Sequence, residues 1–199
     1  MANRDAPFGA IPMGSLHGGS YTGETIECVL LAATDEDAFV GDWVVLGGTA
    51  SADGFAPSVV PSSTNEKLFG VITSFLPNFD DESTLSNTPN HRVGTELRRC
   101  NVVPAKNNFF IMQSDEDSSA LAITDVNRNC DLNITKGSTI TGQSAMEIDS
   151  STVADATFQL RLHGLYRQVG NVIGSTAAGD KAIWIVSANE LDINEAAGS

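Results

Sequence analysis

The chain has 199 residues, with 11 Lys or Arg against 25 Asp or Glu, for a formal net charge of -14. That balance argues against a nucleic-acid partner, because neutralising phosphates takes clustered cations and Arg98-Arg99 is the only adjacent basic pair. It equally disfavours anionic membrane surfaces, and no window offers the roughly 20 consecutive apolar residues of a spanning helix.

Residues 1–23 are broken by Pro7, Gly9, Pro12, Gly14, Gly18, Gly19 and Gly23, which predicts neither a helix nor a regular strand. Phe8, Ile11, Met13 and Leu16 are nevertheless spaced through the segment, so it reads as an extended N-terminal arm that packs on something. It contains no apolar run long enough for a signal-peptide core, which predicts synthesis and residence in a cytosol.

Residues 24–199 form a β-rich body. Residues 25–32 (TIECVLLA) are apolar without alternation, as in a strand buried on both faces. Strands are expected at 39–46, 59–60 and 68–76, the last closed by Pro77. The polar stretch 77–95 reads as a long exposed loop or small insertion. Strands at 92–103 and 109–113 flank a hairpin-like interval at 104–108, and further strands are expected at 132–140, 145–148, 157–162 and 181–187. Only residues 125–129 and 188–197 could be short helices. The fold class is therefore all-β, a barrel or sandwich of short, mainly antiparallel strands.

Chemical motifs are weak. Gly142-Gln143-Ser144-Ala145-Met146 opens like a nucleophile elbow, but Met146 stands where the second Gly is needed, so a plain turn is expected. His17, His91 and His163 are far apart; the first two read as surface residues and His163 as a strand residue on a wet face. The acidic triplets at 35–37, 80–82 and 115–117 lack the alternation of a calcium loop and read as solvated turns. No glycine cluster matches a phosphate-binding loop. Cys28, Cys100 and Cys130 include no CxxC pair and read as reduced core thiols, and Trp43 and Trp184 as core packing. Neither metal, cofactor nor catalytic site is expected.

The N-terminal run Met1-Ala2-Asn3-Arg4-Asp5-Ala6-Pro7-Phe8-Gly9, followed by Pro12-Met13-Gly14, resembles the opening of head decoration, or cement, proteins of tailed bacteriophages. The order Val40-Gly41-Asp42-Trp43-Val44-Val45-Leu46, Asp53-Gly54 and Leu68-Phe69-Gly70-Val71-Ile72 is similar to theirs, as are residues 141–152, 158–166, 171–174 and Trp184-Ile185-Val186. The resemblance implies a β-rich protein on the outer surface of an icosahedral capsid in the virion. It would be an oligomer (a dimer or trimer) that bridges major capsid protein subunits and stabilises the expanded shell against internal DNA pressure. On that reading Asn3, Arg4, Asp5, Pro7, Phe8, Ile11 and Pro12 dock on capsid subunits or a neighbouring protomer, with Phe8 as apolar anchor and Arg4 as charge-assisted donor. The rival readings are a carbohydrate- or receptor-binding β module, which needs an exposed aromatic platform, and a hydrolase with Asp or Ser beside His163 in a pocket.

Overall fold

The computed structural model describes residues 3–77, 90–115, 120–153, 156–173 and 181–192. The chain is all-β. Its strands in chain order are β1 (Ile11–Ser15), β2 (Ile26–Leu30), β3 (Trp43–Ala50), β4 (Pro57–Pro61), β5 (Gly70–Phe75), β6 (Arg98–Pro104), β7 (Asn108–Gln113), β8 (Asn129–Asn133), β9 (Glu147–Val153), β10 (Leu160–Leu165) and β11 (Ile183–Ala188). A 3-10 turn, Ile123–Asp125, precedes β8.

The strands divide between two assemblies. β2-β4-β3-β5-β6 close into a barrel, and β1-β7-β11-β10-β8-β9 form a six-stranded sheet. All described pairings of named strands are antiparallel except β2 with β4, which run parallel at Val29 and Ser58. Period-two alternation explains why the barrel strands facing the sheet read as uninterrupted apolar runs. Val44, Ile72 and Val102 point into the barrel with Cys28, Leu30 and Cys100. Their neighbours Trp43, Val71 and Val103 point outward, into a second core with Phe110, Met112, Leu160, Leu162 and Trp184 of the sheet. One wall of the barrel is thus buried on both faces.

Five expectations are corrected. Residues 11–15 do form a regular strand, because β7 supplies a ready ladder at Ile111, Phe110, Phe109 and Asn108, and a bulge between Pro12 and Gly14 absorbs the proline. The interval 104–108 is not a hairpin: β6 belongs to the barrel and β7 to the sheet, so the chain changes assembly there. The strand expected at 132–140 stops at Asn133, and that expected at 92–103 starts only at Arg98. Finally, His91 and Arg92, at the end of the stretch read as an exposed loop, are 7% and 0% exposed. Arg92 is buried because its guanidinium has carbonyl partners at every side: it donates to Leu31 at 2.7 Å, Thr34 at 2.7 Å, Glu96 (through Nε) at 2.8 Å, and Glu36. Residues 78–89, including the triplet at 80–82, lie outside the described residues.

Candidate functional site

The leading segment lies along the chain's own body. The Asn3 side chain donates to the Val172 carbonyl at 3.0 Å. Gln113, at the end of β7, grips the backbone on both sides of Asp5: its Nε2 donates to the Arg4 carbonyl at 2.7 Å and its Oε1 accepts the Ala6 N–H at 3.1 Å. The Asp5 carboxylate stands 3.8 Å from Lys181 Nζ. Pro7 and Phe8 are half-buried, and Gly9 and Ala10 are buried as they pass the turn before β3. Here the Ala10 N–H donates to the Gly41 carbonyl at 2.9 Å. Gly9 has φ +71°, and a Cβ on it would sit 2.4 Å from the Gly41 oxygen and 2.5 Å from Ser144 Cβ, so glycine is what permits this approach.

β1 then adds to the edge of the sheet and completes an apolar row on the face turned away from the core. Along β7 and β11, Phe110, Met112, Trp184 and Val186 are fully buried on the inner face. Ile111 and Ile185, between them, are half-exposed on the outer face. The register places Ile11 opposite Ile111, and Ile111 opposite Ile185. Ile11 is 45% exposed. Pro12 is half-buried opposite Phe110, and Met13 is exposed beside it. Of the arm residues singled out from sequence, Arg4, Asp5 and Ile11 present exposed side chains, whereas Asn3, Pro7, Phe8 and Pro12 are partly covered by this chain.

His163 lies on the same sheet, its ring meeting Phe109 edge-on at a centroid distance of 4.7 Å. Its Nε2 is 2.8 Å from Ser187 Oγ. Burial and, less strongly, the Arg161 charge hold its pKa below the ordinary histidine value. The hydrolase reading asked for a serine near this histidine, and one is present. Ser187 is 6% exposed, however, and neither residue lines the cavities beside His17, Phe39 or Tyr166. The aromatic platform required of a glycan-binding module is not supplied by tryptophan, since Trp43 and Trp184 are both fully buried.

The remaining polar candidates take structural posts. His91 is not a surface residue: it stacks on Phe39 at 5.2 Å with the rings 10° apart. His17 is exposed and lines an open polar cavity of about 560 Å³ with Tyr21, Lys106 and Asn107. In the triplet 35–37, Asp37 accepts the Gly94 N–H at 2.7 Å and pairs with Lys136 at 2.6 Å, which together hold its carboxyl below the usual range. In the triplet 115–117, Asp115 is not solvated but 5% exposed, accepting Ser150 N–H at 2.9 Å, Ser150 Oγ–H at 2.7 Å and Asn133 Nδ2–H at 2.8 Å. Among the described residues no three His, Cys, Asp or Glu side chains converge as metal ligands. Ser144 lies against Gly9 and Gly41 in the irregular stretch before β9, where its N–H donates to the Val40 carbonyl at 2.8 Å, and not at the start of a helix.

Sequence reasoning missed Gln113 and Gln159 as connectors. Gln159 Nε2 donates to Ser62 Oγ at 3.2 Å and to the carbonyls of Ser63 at 2.9 Å and Glu66 at 2.8 Å, tying the segment before β10 to the loop between β4 and β5. For Gln113 the available signal was a lone amide at the end of the apolar run Phe109-Phe110-Ile111-Met112. No protein-family model, curated protein or solved structure matches the chain.

Proposed function

We propose that this chain is a structural decoration protein that binds the outer surface of an icosahedral phage capsid, contacts major capsid protein subunits, and stabilises the expanded shell. The observation that carries the reading is the outer sheet face, where Ile11 of the leading segment continues the row of Ile111 and Ile185 with Met13 and Arg4 exposed nearby in sequence. A row of half-exposed aliphatic side chains on a regular sheet is a protein-binding surface of low entropic cost, because the strands are already ordered. The resemblance of residues 3–14 to phage cement proteins supplies the partner. Binding only to the expanded lattice stabilises that state by linkage, and several copies in one oligomer multiply weak contacts. The net charge of -14 suits an outward position away from the packaged genome.

The test adds the purified chain to expanded shells that lack it and measures retention, shell resistance to heat and new density by electron microscopy. Deleting residues 1–19 would remove a strand from the sheet, so the sharper variant is Ile11→Asp, with Arg4→Ala as a second. Retention should fall at least tenfold for Ile11→Asp while the circular dichroism spectrum is unchanged. Shells equally robust and equally bare with and without the chain would overturn the proposal. Binding on a glycan array would instead favour the carbohydrate module.

A further inference from the structure

Two of the three thiols lie side by side inside the barrel. β2 and β6 run antiparallel with Cys28 directly opposite Cys100. Both residues are 0% exposed and both belong to the cluster that fills the barrel with Leu30, Ile72 and Val102, so their side chains share one face. The kind of pair follows from the next strand. The Arg99 carbonyl accepts the Leu76 N–H, on the β5 side of β6. Backbone groups alternate sides along a strand, so the N–H and C=O of Cys100 face β2. Opposed residues of that kind have Cα atoms about 5.5 Å apart. Disulfides span Cα separations of about 4.4–6.8 Å, so the backbone already holds the two cysteines at bonding range. Burial pushes both thiols above their ordinary pKa, Cys28 to about 12, and Cys28 is itself one of the charges that Cys100 feels.

We propose that Cys28 and Cys100 form a reversible disulfide that fastens β2 to β6 and locks the barrel, when the chain meets a small-molecule disulfide such as oxidised glutathione. One cysteine thiolate attacks the small disulfide, giving a mixed disulfide and expelling one thiolate. The other cysteine then displaces the second, so that the new sulfur–sulfur bond and two small-molecule thiols are the products. The two protons leaving the cysteines end on those thiols. Neither cysteine reacts fast in the closed barrel, because a buried, high-pKa thiol is a poor nucleophile. The exchange therefore proceeds during folding or through transient opening of the β2–β6 edge. The link encloses β3, β4 and β5, which is nearly all of the barrel. Cys130, fully buried on β8 in the other core cluster, serves as the internal comparison.

The experiment refolds the reduced, denatured chain in oxidised glutathione, digests it without reduction, and maps the cysteines by mass spectrometry. The expected product is a Cys28–Cys100 linked peptide, retained in Cys130→Ser and absent from Cys100→Ser. Refolded and linked, the protein should melt higher than its reduced form by on the order of 10 °C, reverting when dithiothreitol is added to the opened chain. The wild-type and Cys130→Ser maps decide the matter even if Cys100→Ser does not fold. A natively folded product in which Cys28 and Cys100 remain thiols, carry separate glutathiones, or pair with Cys130 overturns the proposal, as does a linked product that has lost its native spectrum.

Discussion

The indole N–H of Trp43 donates to the thioether sulfur of Met112 at 3.1 Å, so a side chain rooted in the barrel is fixed by one rooted in the sheet. The Trp43 backbone N–H lies 3.4 Å from Met146 Sδ, and its ring meets Phe110 edge-on at 4.7 Å. The two assemblies share this one core and should unfold together. Trp43→Phe keeps the apolar character but loses the donor and part of the volume, which costs about 2 kcal/mol. Urea unfolding followed by circular dichroism should show a single transition moved to lower midpoint. Two separated transitions in the wild type would refute the shared core.

Arg92 replaces a turn of regular structure as the partner of the connection between β2 and β3. Its guanidinium serves carbonyls of Leu31, Thr34, Glu36 and Glu96, none of which a methionine could satisfy. Arg92→Met should destabilise the fold by about 3 kcal/mol or more, since buried acceptors left without donors each cost about 1–3 kcal/mol. Arg92→Lys should be the milder change, because an ammonium keeps some of the bonds but cannot match the planar fork. Chemical denaturation of the two variants beside the wild type gives the order directly.

The sequence made the β class legible through its apolar runs and their punctuation. Residues 68–76 end at Pro77, and β5 occupies Gly70–Phe75 within them. The unbroken run at 25–32 contains β2, whose Cys28, Val29 and Leu30 are all fully buried. What could not be read was pairing between distant segments. Nothing local distinguishes Pro104–Asn108 as a passage between assemblies from a hairpin turn, because the difference lies in β2 claiming β6 and β11 claiming β7. β1 was hidden for a related reason: its glycine and proline give it little strand propensity, and it exists because β7 offers an edge. The candidate surface was half visible, in the spaced apolar residues of the arm, while Ile111 and Ile185 gained meaning only through the register.

Asp42 gives the fold a specific acid response. It is 3% exposed, accepts the Phe39 N–H at 2.8 Å, and accepts a hydrogen bond from Ser144. Burial outweighs both bonds and raises its pKa from 3.8 to about 6. Between these values the folded chain binds more protons than the unfolded one, so the contribution of this group to stability falls as pH rises from 3.8 to about 6 and then stays constant. A shift of this size corresponds to about 3 kcal/mol at neutral pH. Asp42→Asn keeps an acceptor oxygen for Phe39 and carries no charge. Its unfolding free energy relative to the wild type should therefore rise from near zero at pH 4 to about 3 kcal/mol in its favour at pH 7. Urea titrations of both proteins across that range check it, and a pH-independent difference would show that Asp42 titrates normally.

Gly9 is where the arm can be released without touching the rest of the sheet. Alanine there would combine φ +71° with a Cβ only 2.4 Å from the Gly41 oxygen, and the facing Gly41 has φ +96° with its own would-be Cβ 2.6 Å from the Phe8 oxygen. Neither backbone can yield cheaply, since each fills the other's missing side-chain space. Gly9→Ala should cost at least about 1 kcal/mol from the left-handed backbone alone, with the steric overlap added to it. The Ala10 amide, bonded to Gly41 at 2.9 Å, should then exchange with deuterium at least tenfold faster, as should the Ala6 amide held by Gln113. Amides of β10 and β8, separated from β1 by both β7 and β11, should keep most of their protection. Unchanged exchange at Ala10 would show that the Gly9–Gly41 contact does not hold the arm, and that Ile11 reaches the outer face by the β1–β7 ladder alone.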